Sequence, residues 1–427
     1  GAAGPGMSAP TERPLRVALT VLGCKVNFAE MADLAGTLAA AGCDVVPDSE
    51  HADVRILNSC TVTTQADAST RQRIGRLRRL DPDAHLVLTG CSVDAHPGEY
   101  TTVDSVFANR DKDSIAEHVL ALVGRRTAAL AGRPVARRAR AFIKVQDGCD
   151  HRCTYCIVWR ARGESTSVPF GLVTERVRAA ISAGHGEVVL CGVDLGSYGR
   201  DIGTTLATLL ESLLDGCGNA RIRLSSINAN HVSPELIRLN AHPRLCGHWH
   251  MPLQSGSDRV LRAMHRGYRR AQYLRIAHAL RAVNPTTEFT TDIMVGFPGE
   301  SDDDHAATLA LVDAVGFLAG HVFRWSPRPE TPASDLSERV DDATSRRRSA
   351  EVRRATRQSG AACLARACGQ RHEVVWDEVD GGRAHGLTAG YHEVVVDDAT
   401  GVRPGGLDPV LAETVEGDCL RATLLRA

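Results

Sequence analysis

A chain of 427 residues is long enough for two or three domains with sizeable cores, which excludes a single small fold for the whole length. A formal net charge of −1 and a pI near 7.0 exclude a global electrostatic case for nucleic-acid binding, so any basic patch must be local. Thirteen cysteines, with neither a signal peptide nor an apolar run of membrane-spanning length, imply a reducing cytoplasm, no membrane partner, and cysteine used for metal or redox work. Gly1 to Gly6, before Met7, read as vector-derived sequence, and residues 1–13 are left out of the fold expectation.

From residue 14 to about 124, apolar runs alternate with helical patterns. Strands are predicted at Arg16–Leu22, Asp53–Leu57, His85–Leu88 and Ser105–Phe107, and helices at Asn27–Ala41, Thr64–Leu80 and Asp111–Val123. This βα alternation predicts an open parallel sheet of flavodoxin-like type. Cys24, Cys60 and Cys91 fall just beyond three of the strands, where loops gather at one sheet edge. Any one of them alone reads as a buried small hydrophobe, but the same placement three times predicts a shared metal site. Cys43 has no such placement and reads as core. Arg71, Arg73, Arg76, Arg78 and Arg79 on one helix fit a solvated face and a phosphate-contacting surface equally well.

Residues 125–140 lack an apolar period and read as a basic linker. Strands are then predicted at Phe142–Val145, Glu187–Cys191, Arg221–Ser225, His248–Met251, Glu288–Met294 and Gly320–Trp325, with helices such as Phe170–Ala183 and Tyr273–Val283 between them. Six such units over 141–335 suit a partial (β/α)6 barrel, with its active site at the C-terminal strand ends. There, after the first strand, stand Cys149, Cys153 and Cys156 in C-x3-C-x2-C spacing. Three thiolates are one short of a closed tetrahedral site, which points to an iron–sulfur cluster with one iron open. The plainer alternatives are a zinc knuckle completed by His151, an awkward ligand only two residues from Cys149 and Cys153, or three unrelated core cysteines.

This loop, with Cys-Thr-Tyr-Cys-Ile and Arg162-Gly163, resembles the signature of radical S-adenosylmethionine (SAM) enzymes of the methylthiotransferase branch. The resemblance implies a [4Fe–4S] cluster on Cys149, Cys153 and Cys156 that binds SAM and cleaves it to a 5′-deoxyadenosyl radical. It further implies an auxiliary [4Fe–4S] cluster on Cys24, Cys60 and Cys91 as sulfur donor or relay, and a flavodoxin- or ferredoxin-type reductant. Gly-Cys-Lys-Val-Asn is similar to the group acting on threonylcarbamoyladenosine in tRNA. Runs in register with the family's Gly-Val-Asn-Leu-Gly-Ser-Tyr-Gly, Pro-Leu-Gln-Ser-Gly-Ser and Val-Gly-Phe-Pro-Gly-Glu nominate Gly192, Asp194, Gln254 and Gly296 as SAM contacts, joined by Tyr155, Ser225 and Asn228. Asp292 fits a buried structural carboxylate or a substrate contact. The chain departs from the family at Trp159 (Pro), at Ser165-Thr166-Ser167 (Arg-Ser-Arg), and at Asn228 and Ala229 (Glu-Pro), which implies an altered pocket.

Residues 336–370 read as one or two connecting helices, and 371–427 as a small antiparallel barrel that resembles the RNA-binding TRAM domain. That segment has five Arg, no Lys and eleven acidic residues, a net of −6 that repels phosphate. The reading placed first is therefore sulfur insertion into a small nucleoside-like metabolite. The alternative is C2-methylthiolation of N6-threonylcarbamoyladenosine in tRNA. A third reading is a non-catalytic iron–sulfur RNA-binding protein.

Overall fold

The computed structural model describes residues 13–122 and 139–426, which divide, residues 62–64 apart, into one compact unit before and one after the intervening segment. Residues 125–138 of the expected linker lie outside the described residues.

In the first unit, β1 (Arg16–Val21), β2 (Asp44–Val46), β3 (Val54–Ser59), β4 (His85–Gly90) and β5 (Ser105–Phe107) form a parallel sheet in the order β2-β1-β3-β4-β5. This is the flavodoxin-like order, and its direction of winding reverses between β1 and β3. All six residues of β3 are buried, as expected where helices cover both faces. β2 has only three residues, too few to show a period, and was not anticipated. The helix Thr64–Leu80 matches expectation, with Asp67 in its first turn and Arg78 and Arg79 in its last, as the helix dipole favours. The helix expected from Asp111 instead opens as a 3-10 turn, Asn109–Ser114, before an α-helix at Ile115–Ala121. Ser114 Oγ donates to the Asp111 carbonyl (2.6 Å), a local bond that competes with α-helical pairing. Cys43 is fully buried in the core, as expected.

The second unit begins with β6 (Ala141–Lys144) and the short antiparallel pair β7 (Gln146–Asp147) and β8 (Thr166–Ser167). Then come β9 (Glu187–Cys191), β10 (Arg221–Leu224), β11 (His248–His250), β12 (Glu288–Val295) and β13 (Ala319–Arg324). Parallel pairing gives β6-β9-β10 and β11-β12-β13, and single bridges from Ile222 to Leu245 and from Ser226 to His250 join the two sheets. Six parallel strands in sequence order make the expected open (β/α)6 barrel.

A single 26-residue helix, Asp342–Ala367, follows, capped by Asp341, whose side chain accepts from the Thr344 N–H (2.9 Å). A Cβ on Gly360 would stand 2.4 Å from the Leu318 carbonyl, so this helix lies directly on backbone. β14 (Arg371–Asp380), β15 (Arg383–Thr388), β16 (Glu393–Val396), β17 (Leu407–Glu416) and β18 (Cys419–Leu424) then close a barrel in the order β14-β15-β16-β18-β17. The barrel is not wholly antiparallel as expected, because β16 and β18 run parallel. Closing an odd number of strands makes one parallel pair unavoidable.

This small barrel docks on the N-terminal strand ends of the larger one. Arg221 and Arg223 both donate to Glu187 (2.7 Å each through Nε). Their other nitrogens reach the carbonyls of Glu373 (2.8 Å), Leu387 (2.8 Å) and Thr388 (2.9 Å) in the small barrel. Among the described residues, no helix is long and apolar enough to cross a membrane.

Candidate functional site

The β7–β8 pair pinches the base of the cysteine loop. A Cβ on Gly148 (φ +72°) would fall 1.8 Å from the Glu164 carbonyl, so only glycine fits where the loop closes on itself. Arg162 donates to Asp147 (2.8 Å), and the Cys149 N–H donates to the Gly163 carbonyl (3.0 Å). Within this clasp the Cys156 N–H donates to the Cys153 carbonyl (3.0 Å), and the Val158 N–H points at Cys156 Sγ (3.4 Å). Burial pushes the Cys149 thiol up to about 12, with Asp194, Cys156 and Cys153 adding to the shift. A buried Cys149 thiol that resists ionisation beside two further sulfurs calls for a cationic centre among them, and Arg266, which donates to Cys153 Sγ (3.4 Å), supplies a single charge. The donor set therefore fits an iron–sulfur cluster.

The other nominated residues occupy the C-terminal rim of the same barrel. Gln146 organises it: its Nε2 donates to the carbonyls of Asp147 (2.7 Å) and Gly148 (2.8 Å), and its Oε1 accepts from the Asp194 N–H (2.7 Å). A Cβ on Gly192 would stand 2.8 Å from that Oε1. Ser225 Oγ and Gln254 Oε1 are buried with no hydrogen-bond partner among the described residues, and Gln254 holds φ +62°. Orphaned polar atoms and a left-handed residue on one rim fit a polar ligand such as SAM. Asp194 is buried beside His151 and His231; burial opposes its ionisation, yet the two histidines hold its carboxyl well below the usual range. Asn228 donates to Asp194 (3.1 Å) and accepts from Arg266.

Two further nominated residues are also tied into the surrounding fold. Tyr155 packs against a cluster of Val260, Met264, Met294, Phe297 and Ala333. The Gly296 N–H donates to buried Glu300 (2.8 Å), which also holds Arg348 (2.8 Å). The departures from the family are absorbed locally. Ser165 bonds Gln146 (3.0 Å) and Ser197 (2.8 Å), Ser167 accepts from the Gly199 N–H (2.8 Å), and Trp159 lies under Arg152 and Arg160. Asp292 is half-buried rather than buried, 3.2 Å from His250. Gln146, His231 and Arg266 were missed from the sequence. The only available signal was a polar residue just beyond a strand end, which fits Gln146 alone.

In the first unit, Cys24, Cys60 and Cys91 follow β1, β3 and β4, three adjacent strands. A Cβ on Gly23 would meet Cys60 at 2.8 Å, which places the Cys24 and Cys60 loops in contact. Asn27 reaches the carbonyls of Leu22 (2.7 Å) and Ser59 (3.0 Å), and Asp67 accepts from Thr61 (2.7 Å) and Ser92 (2.8 Å). The residues that follow Cys60 and Cys91 are thus tied to one carboxylate. On the neighbouring helix Arg71 pairs with Glu99 (3.0 Å) and Arg78 with Asp104 (2.7 Å), while Arg76 and Arg79 are exposed.

Residues 143–312 match the model of the radical SAM superfamily, and residues 16–108 match an uncharacterized protein family, UPF0004. Threonylcarbamoyladenosine tRNA methylthiotransferase MtaB of Thermotoga maritima is 40% identical over 346 residues, covering 78% of this chain and 80% of the relative. The tRNA-2-methylthio-N(6)-dimethylallyladenosine synthase of Geobacter metallireducens is 36% identical over 348 residues, covering 75% of this chain and 78% of the relative. The fold is similar to that of the radical SAM methyltransferase TsrM from Kitasatospora setae, with a TM-score of 0.55 at 15% identity over 75% of this chain and 77% of that one. The cofactors that go with this relationship are SAM and [4Fe–4S] clusters. With its cysteine loop inside one matched segment and its strand-end cysteines inside the other, the chain belongs to the radical SAM methylthiotransferase family.

Proposed function

We propose that the chain is a tRNA methylthiotransferase that acts at C2 of N6-threonylcarbamoyladenosine. The observation that carries this reading is the 40% identity to a relative named for that reaction, over most of both chains. The small nucleoside-like acceptor placed first on sequence grounds finds no counterpart in the names of these relatives, which specify tRNA. The neutral pI and acidic barrel were poor guides to the acceptor, because net charge averages over the chain and does not report a local contact surface such as exposed Arg76 and Arg79.

Cys149, Cys153 and Cys156 would hold the cluster that binds SAM, and Cys24, Cys60 and Cys91 the auxiliary one. When bound, these groups supply the deoxyadenosyl radical that removes hydrogen from carbon and the sulfur that replaces it. The rest falls to the rim. Asp194, fixed by Asn228 and by Gln146 through its backbone N–H, presents a carboxylate suited to an ammonium group, while Ser225 and Gln254 offer unspent hydrogen-bonding atoms. A flavodoxin- or ferredoxin-type protein would deliver the electron.

The test is nucleoside mass spectrometry after anaerobic incubation of the reconstituted protein with SAM, reductant and tRNA bearing N6-threonylcarbamoyladenosine. A methylthio adduct on that nucleoside is expected. Replacing Cys24, Cys60 and Cys91 together by Ala should leave SAM cleavage and remove the adduct. An adduct on free nucleoside but not on tRNA would restore the small-acceptor reading.

A further inference from the structure

His151, Asp194 and His231 come from three separate strand-end loops and meet at one point. Asp194 Oδ1 lies 3.2 Å from His231 Nδ1, and Asp194 Oδ2 lies 3.3 Å from His151 Nε2. The two rings stack with centroids 4.9 Å apart at 28°, and one ligand atom from each residue lies within 4.8 Å of the others. The side chains of His231 and Asp194 are 2% and 4% exposed. Among the described residues, neither His151 Nε2 nor His231 Nδ1 makes a hydrogen bond of regular geometry, although both atoms are buried and face the carboxylate. A Cβ on Gly196 would stand 2.3 Å from His231 Cβ, so the loop after β9 holds that imidazole against Asp194.

We propose that His151, Asp194 and His231 form a binding site for a first-row divalent cation, such as zinc or iron(II), separate from the two cysteine triads. The two imidazole nitrogens face opposite oxygens of one carboxylate, and one donor atom from each residue lies within 4.8 Å of the others, so small side-chain rotations bring both nitrogens and the carboxylate onto one cation. Two imidazoles and one carboxylate are the donor types such ions prefer, and three protein ligands leave a position open for water or a substrate atom. A surrounding frame is present as well. Asn228 Nδ2 donates to Asp194 (3.1 Å) and is itself held by Arg266, whose charge is directed at Cys153 and the Tyr268 ring. Such outer partners orient ligating carboxylates. The sequence concealed the site because its three residues are 43 and 37 positions apart and match no metal-ligand spacing.

The experiment is Co2+ titration of the chain after anaerobic cluster reconstitution and desalting, without SAM, since Asp194 is also a candidate SAM contact. Uptake of one Co2+ per chain is expected, with visible d–d bands of nitrogen and oxygen ligands and no sulfur-to-cobalt charge transfer. His151→Asn, at a position 20% exposed, and His231→Ala should each weaken uptake by about 10-fold or more while the reconstituted variants keep the wild-type cluster absorbance. No Co2+ uptake by the wild type, a sulfur-ligated spectrum, or wild-type affinity in both variants would overturn the proposal. SAM cleavage measured on the same preparation without added Co2+ reports separately on the radical SAM reading.

Discussion

The two ends of the central barrel handle buried polar groups in opposite ways. At the N-terminal ends of β9 and β10, Glu187, Arg221 and Arg223 are almost wholly inaccessible, and their charges are consumed by one another and by carbonyls of the small barrel. Burial would raise the Glu187 carboxyl, but Arg223 and Arg221 hold it well below the usual range. Beyond the C-terminal ends of β10 and β11, Ser225 and Gln254 bury polar atoms that no described residue satisfies. Neighbouring strands of one barrel, β10 among them at both ends, thus carry a completed network on one side and an incomplete one on the other. A completed network fixes structure, whereas an incomplete one marks where a ligand belongs.

The strongest way to test this contrast is at the C-terminal end. Cys153→Ser should abolish SAM cleavage in the reconstituted protein while shifting the thermal midpoint of the cluster-free chain by no more than a few degrees. Cleavage at the wild-type rate would remove the radical SAM assignment of this loop.

Next in size comes the other end. Glu187→Gln leaves two buried guanidiniums without a counter-charge, and breaking a buried ion network in this way costs about 3–5 kcal/mol, readable by urea unfolding. SAM cleavage per folded molecule should persist. Because the folded Glu187 carboxyl lies below its ordinary value of 4.5, its contribution is present above that pH and is lost as pH falls toward the depressed folded value. Wild type should therefore lose stability below pH 4.5 more steeply than Glu187→Gln. Parallel slopes would show that the network carries no net coupling to folding.

The contrast also explains what could be read from sequence. The Cys149, Cys153 and Cys156 loop is contiguous, so spacing alone exposed it. Cys24, Cys60 and Cys91 required the further inference that strand ends converge, which the βα alternation supplied. Glu187, Arg221 and Arg223 read only as strand residues, because Glu187 accepts from arginines 34 and 36 positions on, and the other nitrogens of those arginines reach carbonyls 152 to 166 positions away whose approach no local pattern encodes. His231 and Arg266 were hidden for the same reason. β17 gives little sequence signal of its own, since eight of its ten positions, around Pro409, are at least partly open to solvent.

The smallest expected effect is the most discriminating. Ser225 is 4% exposed, its N–H donates to the Leu190 carbonyl (3.0 Å), and its hydroxyl has no partner among the described residues. Ser225→Ala keeps the backbone bond and removes only an unsatisfied hydroxyl, so stability should change by no more than about 0.5 kcal/mol. If that hydroxyl is reserved for SAM, its loss removes one ordinary hydrogen bond, and KM for SAM in the cleavage assay should rise about 2- to 12-fold. A stability loss of several kcal/mol with unchanged KM would place Ser225 in the same class as Glu187. The two ends of the barrel would then differ in charge alone, not in purpose.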